Sequence, residues 1–241
     1  ARNAERAGYV GEGSESWRDT HLRVTGPSVW ELTDAFTDFW NAHKTRHLPR
    51  LPQFKPRQWI PEIEVARNEP NRLLFPVRGL YIKALNKARK RFWITQAYFI
   101  PDRDILDELI AAAWRGVDIK VLMPETSNHI AADWVARSYY SPMLEAGVEI
   151  WLYQEAMVHA KTATADGCWT TIGTANIDRL SMTGNYEINM EIFSTDLADQ
   201  MEQVFLNDLT NARQLTLEQW EERPVVNRVI ERLLRPLGSV L

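Results

Sequence analysis

The run VHAKTATADG, residues 158–167, sets a histidine, a lysine and an aspartate in an otherwise apolar and threonine-rich stretch. On a strand, residues two apart share a face, so His159 and Lys161 project together and Ala160 points away from them. An imidazole beside a fixed ammonium suits an anionic substrate. The lysine neutralises non-bridging phosphate oxygens, while the imidazole attacks phosphorus or moves a proton. Downstream, Gly173, Thr174 and Asn176 form G-T-x-N. Thr174 and Asn176 can donate hydrogen bonds to charge developing on a phosphate. Glu187 lies on the next alternating stretch, where a carboxylate can hold the other imidazole nitrogen and fix its tautomer. Asp166 has two readings. It belongs to the pattern, but it is also the first residue of an Asp-Gly hairpin turn, and that role is favoured. Taken singly, each residue has a plain structural reading. The argument for chemistry is their joint spacing.

The elements that must position these residues are legible as a rhythm. Residues 1–16 are polar and glycine-rich and read as a loop. THLRVTG alternates like a strand, and a helix begins at Ser28 with Glu31 completing a capping box. Residues 48–61 hold four prolines and form a connector. Then EIEVAR, RFWITQAYFI, VDIKVLMP and VEIWLY read as strands, with helices at 78–91, 103–115 and 129–145 between them. Strands alternating with helices through short loops imply a parallel sheet covered by helices. AMVHAKTATA and CWTTIGTA form a hairpin, NYEINMEIFS a further strand, and 197–209 a helix. HLRVTGPSVWELTDAFTDFW and INMEIFSTDLADQMEQVFLNDL repeat one strand–turn–helix unit, with Val24 to Phe36 spaced as Phe193 to Phe205. The expected organisation is a tail of a first repeat at 1–47, a proline-rich linker at 48–61, a catalytic domain at 62–213 and a helical tail at 214–241.

Composition narrows the classes. The 241 residues are 45% hydrophobic and 25% charged, enough to bury a sizeable core. The net charge of -4 argues against a dedicated nucleic-acid partner. Cys168 stands alone, so no intrachain disulfide forms. No apolar run approaches the roughly 20 residues that span a bilayer. No metal is implied, since His and Cys pairs with ligand spacing are absent. At 225–237, VVNRVIERLLRPL puts Val225, Val226, Val229, Ile230, Leu233 and Leu234 on one helical face and Arg228, Arg232 and Arg235 towards the other. That pattern suits an interfacial helix on anionic lipid, or a helix docked on its own domain.

The full pattern, His159, Lys161, Asp166, Gly173, Thr174 and Asn176, resembles the phospholipase D superfamily signature H-x-K-x4-D-x6-G-S/T-x-N. WRDTHLRVTGPSV, QAYFIPD, AAAWRGVDIKVLMP, SYYSPMLEAGVEIWLYQEAMVHAK and NYEINMEIF are similar to stretches of bacterial cardiolipin synthases, and the likeness covers nearly all of 17–222. It implies a mixed, largely parallel α/β sheet flanked by helices, preceded by the tail of a first such repeat. It implies phosphatidyl transfer between phospholipid headgroups through a phosphohistidine, with phosphatidylglycerol and cardiolipin-like lipids as substrates and no cofactor. The alternatives are a hydrolytic phospholipase D, a nucleic-acid phosphodiesterase of the same superfamily, and an inactive half-site fragment. In-line displacement puts nucleophile and leaving group on opposite sides of phosphorus, so one imidazole cannot serve both at once. No second motif surrounds His21, His43, His47 or His129. By resemblance, the chain holds the second half of a site, completed by an upstream first-motif half or a second copy. His159 would then be the general acid, Lys161 and Asn176 would hold the phosphate, and Glu187 would orient His159. Asp19, in WRDTH, would orient the missing first histidine. The resemblance also implies a membrane-associated protein at the cytoplasmic side of a bacterial inner membrane.

Overall fold

The strand Arg91–Thr95 is buried on both faces from Phe92 to Thr95, as a strand covered on two sides must be. In the computed structural model, which describes residues 4–5, 8–9, 17–53, 62–70 and 74–239, it lies inside one eight-stranded sheet. In chain order the strands are β1 (Ala4–Glu5), β2 (Gly8–Tyr9), β3 (Trp17–Arg18), β4 (His21–Leu22), β5 (Ile63–Asn68), β6 (Arg91–Thr95), β7 (Asp118–Pro124), β8 (Glu149–Tyr153), β9 (Met157–Val158), β10 (Thr162–Ala165), β11 (Trp169–Gly173), β12 (Glu187–Phe193) and β13 (Ala212–Leu215). The helices are α1 (Val29–His43), α2 (Pro76–Lys87), α3 (Arg103–Trp114), α4 (Ile130–Arg137), α5 (Tyr140–Glu145), α6 (Thr195–Leu209), α7 (Leu217–Glu221) and α8 (Val225–Leu234). The sheet runs β13-β8-β7-β6-β10-β11-β12-β5.

The α/β class and the mixed sheet are as expected, but the parallel part is small. Only β6–β7 and β7–β8 run parallel, and every other pairing in this sheet is antiparallel. The connections decide this. Helices α3, α4 and α5 carry the chain back between β6, β7 and β8, whereas a tight turn returns β11 beside β10. That turn has φ of 53° at Asp166 and 69° at Gly167, the left-handed pair that an Asp-Gly hairpin favours.

Alternation within strands splits the core into two layers. Phe92, Ile94, Ile119 and Val121 pack with Leu85, Leu109 and Trp220 of α2, α3 and α7. Trp93 and Leu122 face the other way, onto Phe205 of α6, and Ile172 and Ile192 meet Leu197 and Met201 of the same helix. Each such side chain contributes about 1.5–3 kcal/mol by burial.

The N-terminal segment docks on this body. β3 runs parallel to β9, pairing Trp17 with Met157 and Arg18 with Val158. Buried Arg18 ion-pairs with Asp208 of α6 at 2.5 Å. Leu22, Val24 and Leu32 pack against the layer under α6.

Several boundaries differ from the sequence reading. The expected loop at 1–16 contains β1 and β2, and its other residues lie outside the described ones. Ser28 makes no cap bond through its side chain, since its backbone is already helical at φ -65° and ψ -13°, and the Glu31 carboxylate accepts the Val65 amide of edge strand β5 at 3.0 Å. The helix expected over 129–145 divides into α4 and α5. Residues 54–61 of the linker lie outside the described residues. β13 closes the sheet at Leu215, just inside the segment read as a tail.

Candidate active site

One continuous run in the sequence, β9 and β10 are two strands in space. β9 follows β3, while β10 enters the main sheet between β6 and β11. Residues 159–161 form the crossing. The His159 amide extends the pairing with β3 by donating to the Arg18 carbonyl at 2.8 Å. This brings the next residue, Asp19, beside the imidazole, with Nδ1 3.0 Å from Oδ2. A carboxylate can only accept, so Nδ1 donates to Asp19 and Nε2 is left as the nitrogen available for proton exchange. The Trp17 ring flanks the imidazole at 4.8 Å between centroids. The His159 side chain remains 37% exposed.

Lys161 is buried and donates through Nζ to the His159 carbonyl at 2.5 Å. Burial pushes its ammonium down to about 8, while the charges of Asp19, Glu187 and Asp178 resist that fall. For Asp19 the balance goes the other way. Burial raises its carboxyl, but hydrogen bonds from His159 and the Thr20 amide, with the nearby Lys161 charge, hold it below its ordinary value.

The G-T-x-N turn is fixed from beneath. A Cβ at Gly173 would collide with the Asn189 side chain and the Ile188 carbonyl, so only glycine lets β11 pass there. Buried Asn189 accepts the Ala175 amide at 3.3 Å, and buried Gln96 accepts the Ile177 amide at 3.2 Å. Gln96 in turn donates to the Tyr81 hydroxyl at 3.1 Å. The Asn176 side chain bonds to Asp178, and its buried Oδ1 has no hydrogen-bond partner among the described residues. Burial raises the Asp178 carboxyl, despite the Ser181 amide donated to it at 2.7 Å.

His159, Lys161 and Asp19 therefore come together, with Glu187 and Asp178 within electrostatic reach. Two expected pairings change. The partner of His159 Nδ1 is Asp19, not Glu187, because β3 is laid directly along β9. Glu187, on β12, accepts the Thr174 hydroxyl instead. Asp166 sits at the far end of β10, roughly 16 Å from Lys161 at strand spacing. There it accepts the amides of Arg89, Lys90 and Arg91 at 2.8–3.0 Å, so it closes the α2–β6 turn and does not face the imidazole. Asp178, Trp17 and the Asn189–Gln96–Tyr81 support were missed. Asp178 carried a signal, as a carboxylate two residues after Asn176; the others are joined only by long-range packing.

A cavity of about 390 Å³ opens beside the site, lined by Leu32, Phe36, Phe39 and Tyr186 together with Thr174 and Glu187. Among the described residues, no group of three or more His, Cys, Asp or Glu side chains could hold a metal ion.

Residues 81–209 match the family described as "Cardiolipin synthase, PLD-like domain". A cardiolipin synthase from Clostridium perfringens is 32% identical over 252 residues, covering 97% of this chain and 51% of that protein. The major cardiolipin synthase of Bacillus subtilis is 31% identical, covering 93% of this chain and 48% of that protein. The chain thus spans about half the length of the curated relatives it matches. Among solved structures, the phospholipase D family member Nuc from Salmonella typhimurium superposes with a TM-score of 0.54 at 22% identity, over 64% of this chain and 97% of that one. A phosphatidylserine synthase from Haemophilus influenzae gives 0.56 at 13% identity, over 74% and 45%. These two likenesses concern the fold.

Proposed function

Because the chain belongs to the family of cardiolipin synthase, phospholipase D-like domains, we propose that it supplies one half of a phosphatidyltransferase site acting on phospholipids such as phosphatidylglycerol. The observation that carries this reading is the Asp19–His159–Lys161 constellation, an oriented imidazole beside a buried ammonium.

In the proposed reaction, a second histidine attacks phosphorus through a ring nitrogen. The P–O bond to the leaving alcohol breaks, and protonated His159 gives its Nε2 proton to that oxygen. The phosphatidyl group is then held as a P–N phosphoramidate. An incoming lipid alcohol passes its proton back to Nε2 of His159 and forms the new P–O bond as P–N breaks. Lys161 and Asn176 hold the non-bridging oxygens. Asp19 stabilises the imidazolium that enters the first step and is regenerated in the second. Glu187, which lines the open groove, is placed in this scheme to orient the second imidazole. The second histidine comes from an upstream first-motif half or from another copy. Water in place of the lipid alcohol yields hydrolysis, and the 37% exposure of His159 keeps that outcome open.

Phosphatidyl transfer between vesicle lipids, measured over a wide range of chain concentration, tests the reading. The expected result is transfer that rises with the square of concentration, or that appears only with the upstream half added, and that is lost in His159→Ala. First-order activity of a single copy, or activity surviving His159→Ala, would sink it.

A further inference from the structure

α8 is docked through the wrong face for a helix that only fills its own core. Its inward side holds Asn227, Ile230, Glu231 and Leu234. Glu231, buried, pairs with Arg223 at 2.9 Å, and Leu234 packs against the main core. Beyond the helix, Gly238 is packed so tightly that a Cβ there would run into the Tyr139 hydroxyl and meet Val135 of α4 at 3.3 Å and Ile100 at 3.4 Å. The helix is therefore seated firmly, yet its apolar stripe points to solvent. Val225 is 70%, Val226 65%, Val229 51% and Leu233 73% exposed, and Leu237 continues the line. These positions recur at helical spacing and share one face, opposite Asn227 and Glu231. At 100° per residue, Arg228 and Arg232 border that face, with Arg235 beyond them, all exposed. The helix's single acid is already paired with Arg223.

We propose that this stripe is a membrane-contact face, with the valines and leucines entering the headgroup boundary of an anionic bilayer and the arginines meeting lipid phosphates. The charge selects the occupant: Arg228 donates to the Glu221 carbonyl and Arg235 lies over the Tyr139 ring, but no arginine bordering the apolar row has a carboxylate partner among the described residues, so the row complements an anionic lipid surface. Docking through Glu231 and Gly238 holds the face outward before any lipid arrives. This surface acts on lipid whether or not the chain transfers phosphatidyl groups, so it stands apart from the proposed reaction.

Flotation of the purified chain with vesicles of phosphatidylglycerol and phosphatidylcholine tests it, with pure phosphatidylcholine vesicles alongside. The chain should float with the anionic vesicles and much less with the neutral ones. Val229→Glu with Leu233→Glu should cut binding more than tenfold. Arg228→Gln with Arg232→Gln should weaken it by roughly fivefold per arginine. Trp114→Ser, at a 76% exposed site on α3, should change nothing. All substituted positions are exposed, and matching circular dichroism melts confirm that the variants fold. Unchanged flotation of the Val229/Leu233 variant overturns the proposal. So does absence of vesicle binding together with a dimer that this variant converts to monomer, which would make the stripe an interface between copies.

Discussion

At the residue scale the decisive group is Lys161. Its ammonium is lowered to about 8 by burial, so phosphate binding at this site should weaken as pH rises through that value. The sign follows from charge: Lys161 is cationic below its pKa and neutral above it. Glycerophosphoglycerol affinity measured by calorimetry from pH 6 to 9.5 should show the fall. Lys161→Gln should bind more weakly below that value, converge with the parent above it, and show no such step. Asp178 tunes this group, because its charge helps to keep Lys161 protonated. Asp178→Asn keeps the acceptor for the Ser181 amide but loses the charge, so the alkaline limit should move to lower pH. A limit that stays put or rises would show that Asp178 does not act on Lys161.

At the element scale, the motif's aspartate belongs to scaffolding. Asp166→Ala removes the acceptor for three amides and should cost about 2 kcal/mol in urea unfolding at pH 7, with phosphate affinity of the folded protein unchanged. The hydrogen bonds from Arg89, Lys90 and Arg91 outweigh burial and hold this carboxyl below its ordinary 3.8. Its contribution is therefore present at neutral pH and lost as pH falls through the lowered value. A loss of phosphate affinity beyond the loss of folded protein would return Asp166 to the site. Gly173→Ala should be more severe, since neither the Asn189 side chain nor the Ile188 carbonyl can step aside without disturbing β12. Of these two roles, the turn at Asp166 was legible from Asp-Gly alone. The crowding at Gly173 was not, because Asn189 reaches it from another strand.

At the scale of the whole molecule, the site depends on how the segment before α1 is fastened. Arg18 and Asp208 are 190 positions apart and buried together, and Arg18 precedes the carboxylate that holds His159. Arg18→Ala should destabilise the protein by about 3–5 kcal/mol, because it leaves Asp208 buried without its counter-charge. It should also loosen Asp19 from His159, visible as a change in the imidazole NMR shifts. The double variant Arg18→Met, Asp208→Leu should recover much of the stability. A single variant as stable as the parent would show that the pair contributes little.

By itself the sequence determined the chemistry on offer: an imidazole, an ammonium and a polar turn at fixed spacing, on strands marked by alternation and an Asp-Gly turn. These are local facts, set by side-chain type and by backbone preferences over a few residues. Only the tertiary structure decided which carboxylate meets His159, since Asp19 arrives from 140 positions away through the pairing of β3 with β9. It also decided that most of the sheet is antiparallel and that the apolar row of α8 faces outward. Such pairings rest on packing between distant elements, and a periodic pattern reports that a face is apolar without reporting what covers it.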